Sequence, residues 1–345
     1  MNITNNNYSV TQIKDQNVFL IKSALRQVES GTKQTLSRLT GLSVSTCNNI
    51  LNELLETGEV TSIEQANTRS IGRPANAYVF NGDFKYICCL NASWRNETNT
   101  TFFHYIIMDL LENIVEEDNI DCSDISYSEI ENLLQQLVIR YPKIDTICFG
   151  TSGFSNNSKW ANDRIFSMLN GKDIQKDLTS HLNRKIIVEN DLNAISYGIY
   201  NSTLKNKYDM SSMITVAFFN KKGTGAGIIY KGKILHGYQN FAGEIGYLNM
   251  NGKYMDELLD EQSEQIISYV AQIVENITTL LNPATLFLIG EYMNDEVAEK
   301  IRTYDYKKIP ENVLPEIVYI DHYQNYFIEG LYQIAINSVL NAPEW

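Results

Sequence analysis

The stretch from Gly223 to Tyr247 constrains the fold of this chain more than any other part of the sequence. An apolar run at 214–219 precedes the glycine-rich segment Gly223–Gly227, and a second apolar run at 228–230 follows it. Two strand-like runs around glycines predict a β-hairpin whose loop exposes backbone N–H groups, and such a loop can approach a phosphate closely. A plain glycine hairpin has the same local pattern, so the other motifs must decide between the two.

Charge is unevenly distributed along the 345 residues, which are enough for two or three domains. The net charge is −13, but residues 1–80 hold seven basic and six acidic side chains, so the remainder carries −14. Because an acidic surface repels nucleic acid, we expect any contact with DNA within residues 1–80. No window is long and apolar enough for a membrane span, and the polar start lacks the features of a secretory signal. We therefore expect a cytoplasmic protein with no membrane partner.

The five cysteines lie mostly in apolar runs and show no CxxC spacing. An odd number of cysteines without that spacing argues against a disulfide framework and against a cysteine-ligated zinc site.

The first 80 residues have the spacing of a helix-turn-helix preceded by one further helix. Thr32 and Ser43 are positioned to cap the second and third helices. We expect the second helix to bury Leu36 and Leu39, and the third to bury an apolar face that begins at Val44.

Two strands at 60–63 and 77–80 follow, and the segment between them forms a predicted wing. Amide and hydroxyl side chains suit base edges and phosphates, and arginine in a wing suits a phosphate or the narrow minor groove. A solvated helix face has the same composition, so both interpretations stay open for the helix alone. The candidate DNA contacts are Ser43, Ser45, Thr46, Asn48, Asn49, Arg69 and Arg73.

Three segments of this region, Thr40–Ser43, Leu54–Gly58 and Gly72–Pro74, together resemble the N-terminal domain of ROK-family regulators (repressors, open reading frames and sugar kinases). The resemblance implies a winged helix-turn-helix DNA-binding domain over residues 1–80.

The remainder alternates predicted strands and helices, which favours an α/β body. Four segments resemble the ROK body in their order: Glu189–Ala194, Gly223–Gly227, Ala242–Gly246 and Leu281–Gly290. The resemblance implies that residues 81–345 form a ligand-sensing ROK domain with two lobes and the actin/hexokinase-type fold.

A sugar presents hydroxyl groups, which carboxylates and amides recognise. In family kinases the aspartate that matches Asp191 is the general base, and the matching asparagine and glutamate hold the sugar ring. An N-cap of the following helix is the alternative role for Asp191. The predicted ligand-binding residues are Asn170, Asn190, Asp191, Glu244 and Tyr247.

Other segments depart from the family pattern. Family kinases begin the body with an Asp-x-Gly-Gly-Thr type loop, whereas Asn91–Arg95 lacks the aspartate and both glycines and contains the bulky Trp94. Such a segment cannot wrap a phosphate with its backbone and has little hold on Mg²⁺. Glu291 adds negative charge on the adenine side. We therefore expect no enzymatic activity and no cofactor.

The family usually places a histidine after the Ala242–Gly246 segment, followed by a cysteine-rich zinc segment. Here the residue is Tyr247, and residues 248–264 contain neither Cys nor His. We expect no bound metal, and either a changed sugar preference or an empty site.

Together these features predict a sugar-responsive transcriptional regulator, with repression as the commoner family arrangement. It would bind operator DNA as a homodimer on a near-palindromic, A/T-rich site. One alternative is an active ATP-dependent sugar kinase with a DNA-binding head, supported by Asp191 and Gly223–Gly227. Another is a regulator controlled by a protein partner, with an empty cleft.

Overall fold

A computed structural model gives the fold. It describes residues 10–64, 76–95, 100–122, 125–161, 166–204, 213–220, 223–250, 252–261 and 265–341. Within these residues, no helix combines the length and the apolar character that crossing a bilayer requires.

The chain opens with a small module of helices and strands, here called the head. Its three strands form an antiparallel sheet in the order β1-β3-β2. Apolar side chains of the helices pack on this sheet. The elements of the head are α1 (Val10–Gln27), β1 (Gly31–Thr32), α2 (Lys33–Thr40), α3 (Val44–Thr57), β2 (Val60–Glu64) and β3 (Asn76–Phe80).

The helix boundaries of the head follow from local hydrogen bonds. The Thr32 hydroxyl accepts from the backbone N–H of Thr35 at 3.2 Å, and the Ser43 hydroxyl accepts from that of Thr46 at 3.0 Å. Each satisfies a backbone donor that the first helical turn leaves without a partner. Both predicted caps are therefore confirmed.

Two predicted core positions of the head are wrong. Leu39 is 53% exposed and Val44 is 46% exposed. Helix α2 is only eight residues long, so Leu36 reaches the core while Leu39 lies in its last turn. Val44 is the first residue of α3, and the buried face of that helix begins one turn later, at Cys47.

The body has two five-stranded sheets, each forming one lobe. The first has the order β10-β7-β4-β5-β6 and the second β13-β12-β11-β16-β17. The first lobe contains β4 (Tyr86–Arg95), β5 (Thr100–Asp109), β6 (Ile114–Cys122), α4 (Tyr127–Arg140), β7 (Ile144–Thr151), β8 (Phe154–Asn156), β9 (Lys159–Ala161), α5 (Ile174–Leu182) and β10 (Lys185–Asn190). Then follow α6 (Asp191–Ile199), β11 (Met213–Asn220), β12 (Gly223–Tyr230), β13 (Lys233–Ile234), β14 (Asn249–Met250), β15 (Lys253–Tyr254), α7 (Met255–Glu261), α8 (Ile266–Leu281), β16 (Thr285–Ile289), α9 (Asp295–Arg302), β17 (Glu316–Tyr319) and α10 (Asn325–Val339).

Each lobe has its own apolar core. Helices α4 and α5 pack on the first sheet, and α8 and α9 pack on the second. A third apolar cluster contains buried residues of the head, of α6 and α10, and of both sheets. The head and body are therefore joined by continuous apolar packing as well as by the chain.

The predicted glycine hairpin is present, but the glycines do not form its loop. Gly223–Gly227 belong to β12, which pairs with β11 from Asn220↔Gly223 to Met213↔Tyr230. Helix α6 crosses this strand so closely that a Cβ at Gly227 would clash with the Ser196 hydroxyl. The glycines therefore permit helix–strand packing, and the expectation of a loop with exposed N–H groups was wrong.

We predict that Gly227→Ala destabilises the fold by about 3 kcal/mol, because its Cβ would lie 2.5 Å from the Leu192 carbonyl O. The matched control is Gly252→Ala. Gly252 has φ 87° and a Cβ added there would have no neighbour within 4 Å, so its substitution costs only about 1 kcal/mol of backbone strain. Chemical denaturation of both variants measures the difference, and equal midpoints would refute the close-packing role.

Candidate sugar-binding cleft

A cavity of about 970 Å³ lies between the two lobes. Four of the predicted ligand-binding residues line it: Asn190, Asp191, Glu244 and Tyr247. Asn170 is exposed beside the short turn Ser167–Leu169 and is not among the described lining residues, so its role stays a prediction. The cavity therefore contains carboxylates, an amide and an aromatic ring, which is the donor and acceptor set that a sugar requires.

The N-terminus of α6 forms one wall of the cleft. The Asn190 side-chain oxygen caps this helix by accepting from the N–H groups of Leu192 and Asn193, at 2.9 and 3.1 Å. Its amide nitrogen donates to the Gly153 carbonyl at 2.8 Å. Because Asn190 takes the N-cap position, Asp191 is the first residue of the helix rather than its cap. Asp191 lies at the cavity wall, and its Oδ1 accepts from the Leu192 N–H at 2.8 Å.

Glu244 reaches the same cavity from a tight turn against β12. Gly243 has φ 92°, and a Cβ there would clash with the Ala226 carbonyl O. Its own carbonyl accepts from the Ala226 N–H at 2.7 Å, and the carbonyl of Glu244 accepts from Tyr247 N–H at 3.1 Å. Gly243 thus permits its backbone to approach that of Ala226 closely, and this contact fixes the backbone position of Glu244.

The segment predicted to correspond to the first phosphate loop, Asn91–Arg95, is part of a strand in the structure. Asn91–Arg95 continue strand β4 and pair with β5, with Asn91 opposite His104 and Ser93 opposite Phe102. Pairing with β5 gives this segment an extended backbone, whereas a phosphate loop needs several N–H groups that point towards one centre. The side chains of Trp94 and Arg95 lie outside the described part of the structure. The effect predicted for the bulk of Trp94 therefore stays a prediction.

The glycine-rich strand is contacted by a carboxylate that the sequence patterns did not reveal. Asp256 Oδ1, from α7, accepts from the Thr224 N–H at 2.8 Å. Both residues line the cavity. The Asp256 carboxylate therefore already accepts from a backbone N–H of the Gly223–Gly227 segment, which was predicted to approach a phosphate. No local signal marks Asp256, because 32 residues separate it from Thr224.

The cavity is strongly acidic. Among the described residues that line it, none is Lys or Arg. Burial, together with the nearby negative charges of Glu291 and Asp191, raises the pKa of Tyr323 to about 12. Although Glu112 is paired with Arg26, a lining of this charge is expected to repel a polyanion more than a neutral, hydroxyl-rich molecule. The carboxylates that line the cavity are Glu112, Glu117, Asp191, Glu244, Asp256, Glu291 and Glu329.

A histidine–glutamate pair links the end of strand β10 to the loop that carries Glu244. His236 Nε2 lies 2.9 Å from Oε2 of Glu189, whose other oxygen accepts from the Asn193 side-chain amide at 2.9 Å. Glu189 immediately precedes Asn190, and the His236 carbonyl accepts from Ala242 N–H, which closes the loop that leads to Glu244. The Glu189 hydrogen bond raises the pKa of His236. Glu189 belongs to the Glu189–Ala194 segment, but no pattern in the sequence predicts its contact with His236, 47 residues away.

We predict that His236 titrates above its ordinary pKa of 6.5 and that Glu189→Gln lowers this pKa, because the variant loses the negative charge. The pair stabilises the folded state fully below pH 6.5, and this stabilisation is lost as the pH rises through the raised pKa. NMR titration of the four histidines, with His322 as the exposed reference, tests this. A pKa of His236 that does not respond to Glu189→Gln would contradict the pairing.

The predicted DNA contacts of the head differ in whether they are exposed or hydrogen-bonded within the head. Ser45 and Asn49 are exposed on α3. The hydroxyls of Ser43 and Thr46 are hydrogen-bonded to each other at 2.8 Å, and Asn48 accepts from Lys33 at 2.5 Å. Arg69 and Arg73 lie outside the described residues.

Comparison with known proteins agrees with this architecture. Residues 98–262 match the model of the ROK family. Residues 98–262 are therefore similar to the ROK family, and over these residues the resemblance read from the motifs of the body is confirmed.

Relatives with regulatory names and relatives with kinase names both occur. The xylose repressor of Staphylococcus xylosus is 25% identical over 236 residues, covering 65% of this chain but only 59% of that protein. The xylose repressor of Lactiplantibacillus pentosus is 20% identical, with 90% of each chain covered. The N-acetyl-D-glucosamine kinase of Histophilus somni is 27% identical over 139 residues, covering 39% of this chain and 44% of the kinase.

Solved structures show the same fold. A ROK family transcriptional regulator described as a homologue of the E. coli MLC protein aligns over 96% of this chain and 98% of its own, with a TM-score of 0.73 and 14% identity. The ROK hexokinase of Thermus thermophilus aligns over 74% of this chain and 100% of its own, with a TM-score of 0.59 and 13% identity. The mixed α/β, sugar-kinase-like fold of the body is thereby confirmed.

Proposed function

We propose that this chain is a sugar-responsive transcriptional repressor whose kinase-like body binds a sugar without phosphorylating it. The observation that carries the proposal is the continuation of strand β4 through Asn91–Arg95, where a kinase requires a phosphate loop. The Asp256 carboxylate on the Thr224 N–H and the absence of Lys and Arg from the described cavity lining support the same conclusion. The groups suited to a sugar, Asp191 and Glu244, remain in the cleft.

The head supports binding to DNA. From its order of helices and strands we infer a winged helix-turn-helix in which α3 is the recognition helix. Ser45 and Asn49 present a hydroxyl and an amide to base edges, and the exposed Val44 offers an apolar contact for a thymine methyl. We propose that two copies bind a near-palindromic operator as a homodimer, with residues 1–80 as the DNA-binding domain and 81–345 as the sensing domain.

One arginine supplies a route for coupling the cleft to the head. Arg26, on α1, donates to the Leu110 carbonyl at 2.7 Å, to Glu112 at 3.1 Å and to the Tyr332 hydroxyl at 3.3 Å. Tyr332 belongs to α10 and also lines the cavity. A ligand that moves α10 therefore changes the contacts that position α1. A coupling free energy of about 1–3 kcal/mol is enough to change operator affinity between roughly fivefold and 150-fold.

We predict that Arg26→Ala reduces the effect of the ligand on operator affinity, because the variant loses all three polar contacts with the body. Lys14→Ala is the matched control on the same helix, since Lys14 forms only an exposed ion pair with Glu53. Fluorescence anisotropy with labelled operator, with and without ligand, measures both variants. A full ligand response in Arg26→Ala would exclude this route.

The proposed function is tested by selecting bound DNA from a random pool and repeating the selection with a sugar library. We expect one enriched, near-palindromic sequence whose binding falls when the correct sugar is present. Glu244→Gln is expected to weaken the sugar response while operator binding stays intact. Enrichment that no sugar changes would favour control by a protein partner instead.

An active kinase is the second candidate, favoured by Asp191 at the cleft and by the relatives named as kinases. A coupled assay with hexoses and N-acetyl hexosamines tests it directly. We expect no turnover above background. Clear turnover that disappears in Asp191→Asn would replace the repressor proposal with a kinase that carries a DNA-binding head.

A further inference from the structure

A row of aromatic side chains reaches the cavity wall at one of its members, Tyr247. Ring centroids are 6.3 Å apart between Tyr254 and Tyr247, 5.5 Å between Tyr247 and Phe241, and 5.3 Å between Phe241 and Phe154. These four residues are here called the aromatic row. Of the four, Tyr247 alone belongs to the described cavity lining. Glu244, three residues earlier in the chain, lines the same cavity. The other three rings therefore lie next to the cavity without belonging to its described lining.

The aromatic row is accessible. Phe241 is 44% exposed, Tyr247 39% and Tyr254 49%. Aromatic rings left in contact with water on one surface, next to polar groups, mark a place where a ligand or partner binds. The neighbouring groups here are carboxylates and amides, which suit hydroxyl groups rather than a hydrophobic protein surface.

The backbone under the row is held in place by contacts between two turns. The Asn157 N–H donates to the Gln239 side-chain oxygen at 3.2 Å, and the Asn240 amide donates to the Ser155 carbonyl at 2.8 Å. Gln239 and Asn240 have φ of 61° and 55°. Positive φ at two successive non-glycine residues costs free energy and persists where surrounding contacts enforce it, often at ligand clamps. Contacts within the chain therefore position the backbone of the aromatic row.

Sugar rings fit this surface for a chemical reason. A pyranose presents hydroxyls at its rim and C–H groups on its faces, so carboxylates bind the rim and aromatic rings stack on a face. The cavity volume of about 970 Å³ lies at the upper end of the range for small-molecule sites, which leaves room for more than one ring. Asp191, Glu244 and Tyr247 line the same cavity, so a second ring attached to a sugar in the cleft has aromatic side chains near it.

We propose that the aromatic row is an outer subsite that stacks on the second ring of a disaccharide, so that the effector is a glycoside rather than a free monosaccharide. This inference rests on the proposed sugar-binding function of the cleft. It adds a ligand class and three contact residues, Phe154, Phe241 and Tyr254, that the cleft alone does not assign.

Calorimetry on the full chain tests the subsite with matched pairs of probes: hexoses, their methyl glycosides and the corresponding disaccharides. We expect at least one disaccharide to bind about tenfold more tightly than either of its component sugars. Phe241→Ala is expected to remove this advantage and leave monosaccharide affinity unchanged, and Phe241→Tyr to retain it. Tyr230→Ala, which removes a ring of similar exposure at the end of β12, is the control and is expected to change neither affinity.

The outcomes separate this inference from the proposed function. Monosaccharides that bind as tightly as every disaccharide would overturn the outer subsite and leave the proposed function standing. Sugar binding of neither kind would overturn both. Equal loss of both affinities in Phe241→Ala would make the ring structural and refute the subsite. A changed oligomeric state in that variant by sedimentation, with sugar affinities unaltered, would make the row a subunit interface and likewise refute it.

Discussion

The close packing of helix α6 between the two lobes is the constraint on which the cleft depends. Glycines in β12 let the helix approach the second sheet, while Asn190 caps its N-terminus and holds the Gly153 carbonyl of the first lobe. The helix begins where strand β10 ends, so its first residue, Asp191, lies at the boundary between the lobes. A bulkier strand at Gly227 would push the helix away and displace the carboxylate with it.

Electrostatics then determines what the cleft accepts. A nucleotide site needs backbone donors, cations or Mg²⁺ to offset several negative charges. Here strand pairing uses the backbone of Asn91–Arg95, and the Asp256 carboxylate accepts from the Thr224 N–H. The described lining residues add further carboxylates without a Lys or Arg. A neutral sugar meets no such repulsion, and its hydroxyls can donate to the same carboxylates.

The contacts of α10 connect this cleft to the head. The helix begins beside Tyr323, which interacts electrostatically with Asp191, and it carries Tyr332 about two turns further on. Tyr332 is almost fully buried and contacts Arg26 of α1 and the Asp109 carbonyl. One helix thus lines the cavity and contacts the head, which is the structural basis of the proposed coupling between them.

The sequence by itself determined the elements whose signals are local. The caps at Thr32 and Ser43 lie where the sequence predicts them, and the strands predicted at 60–63 and 77–80 are correct to within one residue at each end, because each depends on residues a few positions apart. The motifs that resemble the ROK body contain Asp191 and Glu244, which line one cavity; their binding of a ligand stays a prediction. Only the tertiary structure decided that the glycines pack in a strand, and that Asp256 meets Thr224. These contacts join segments distant in the chain, and spacing along a sequence does not encode which distant surfaces meet.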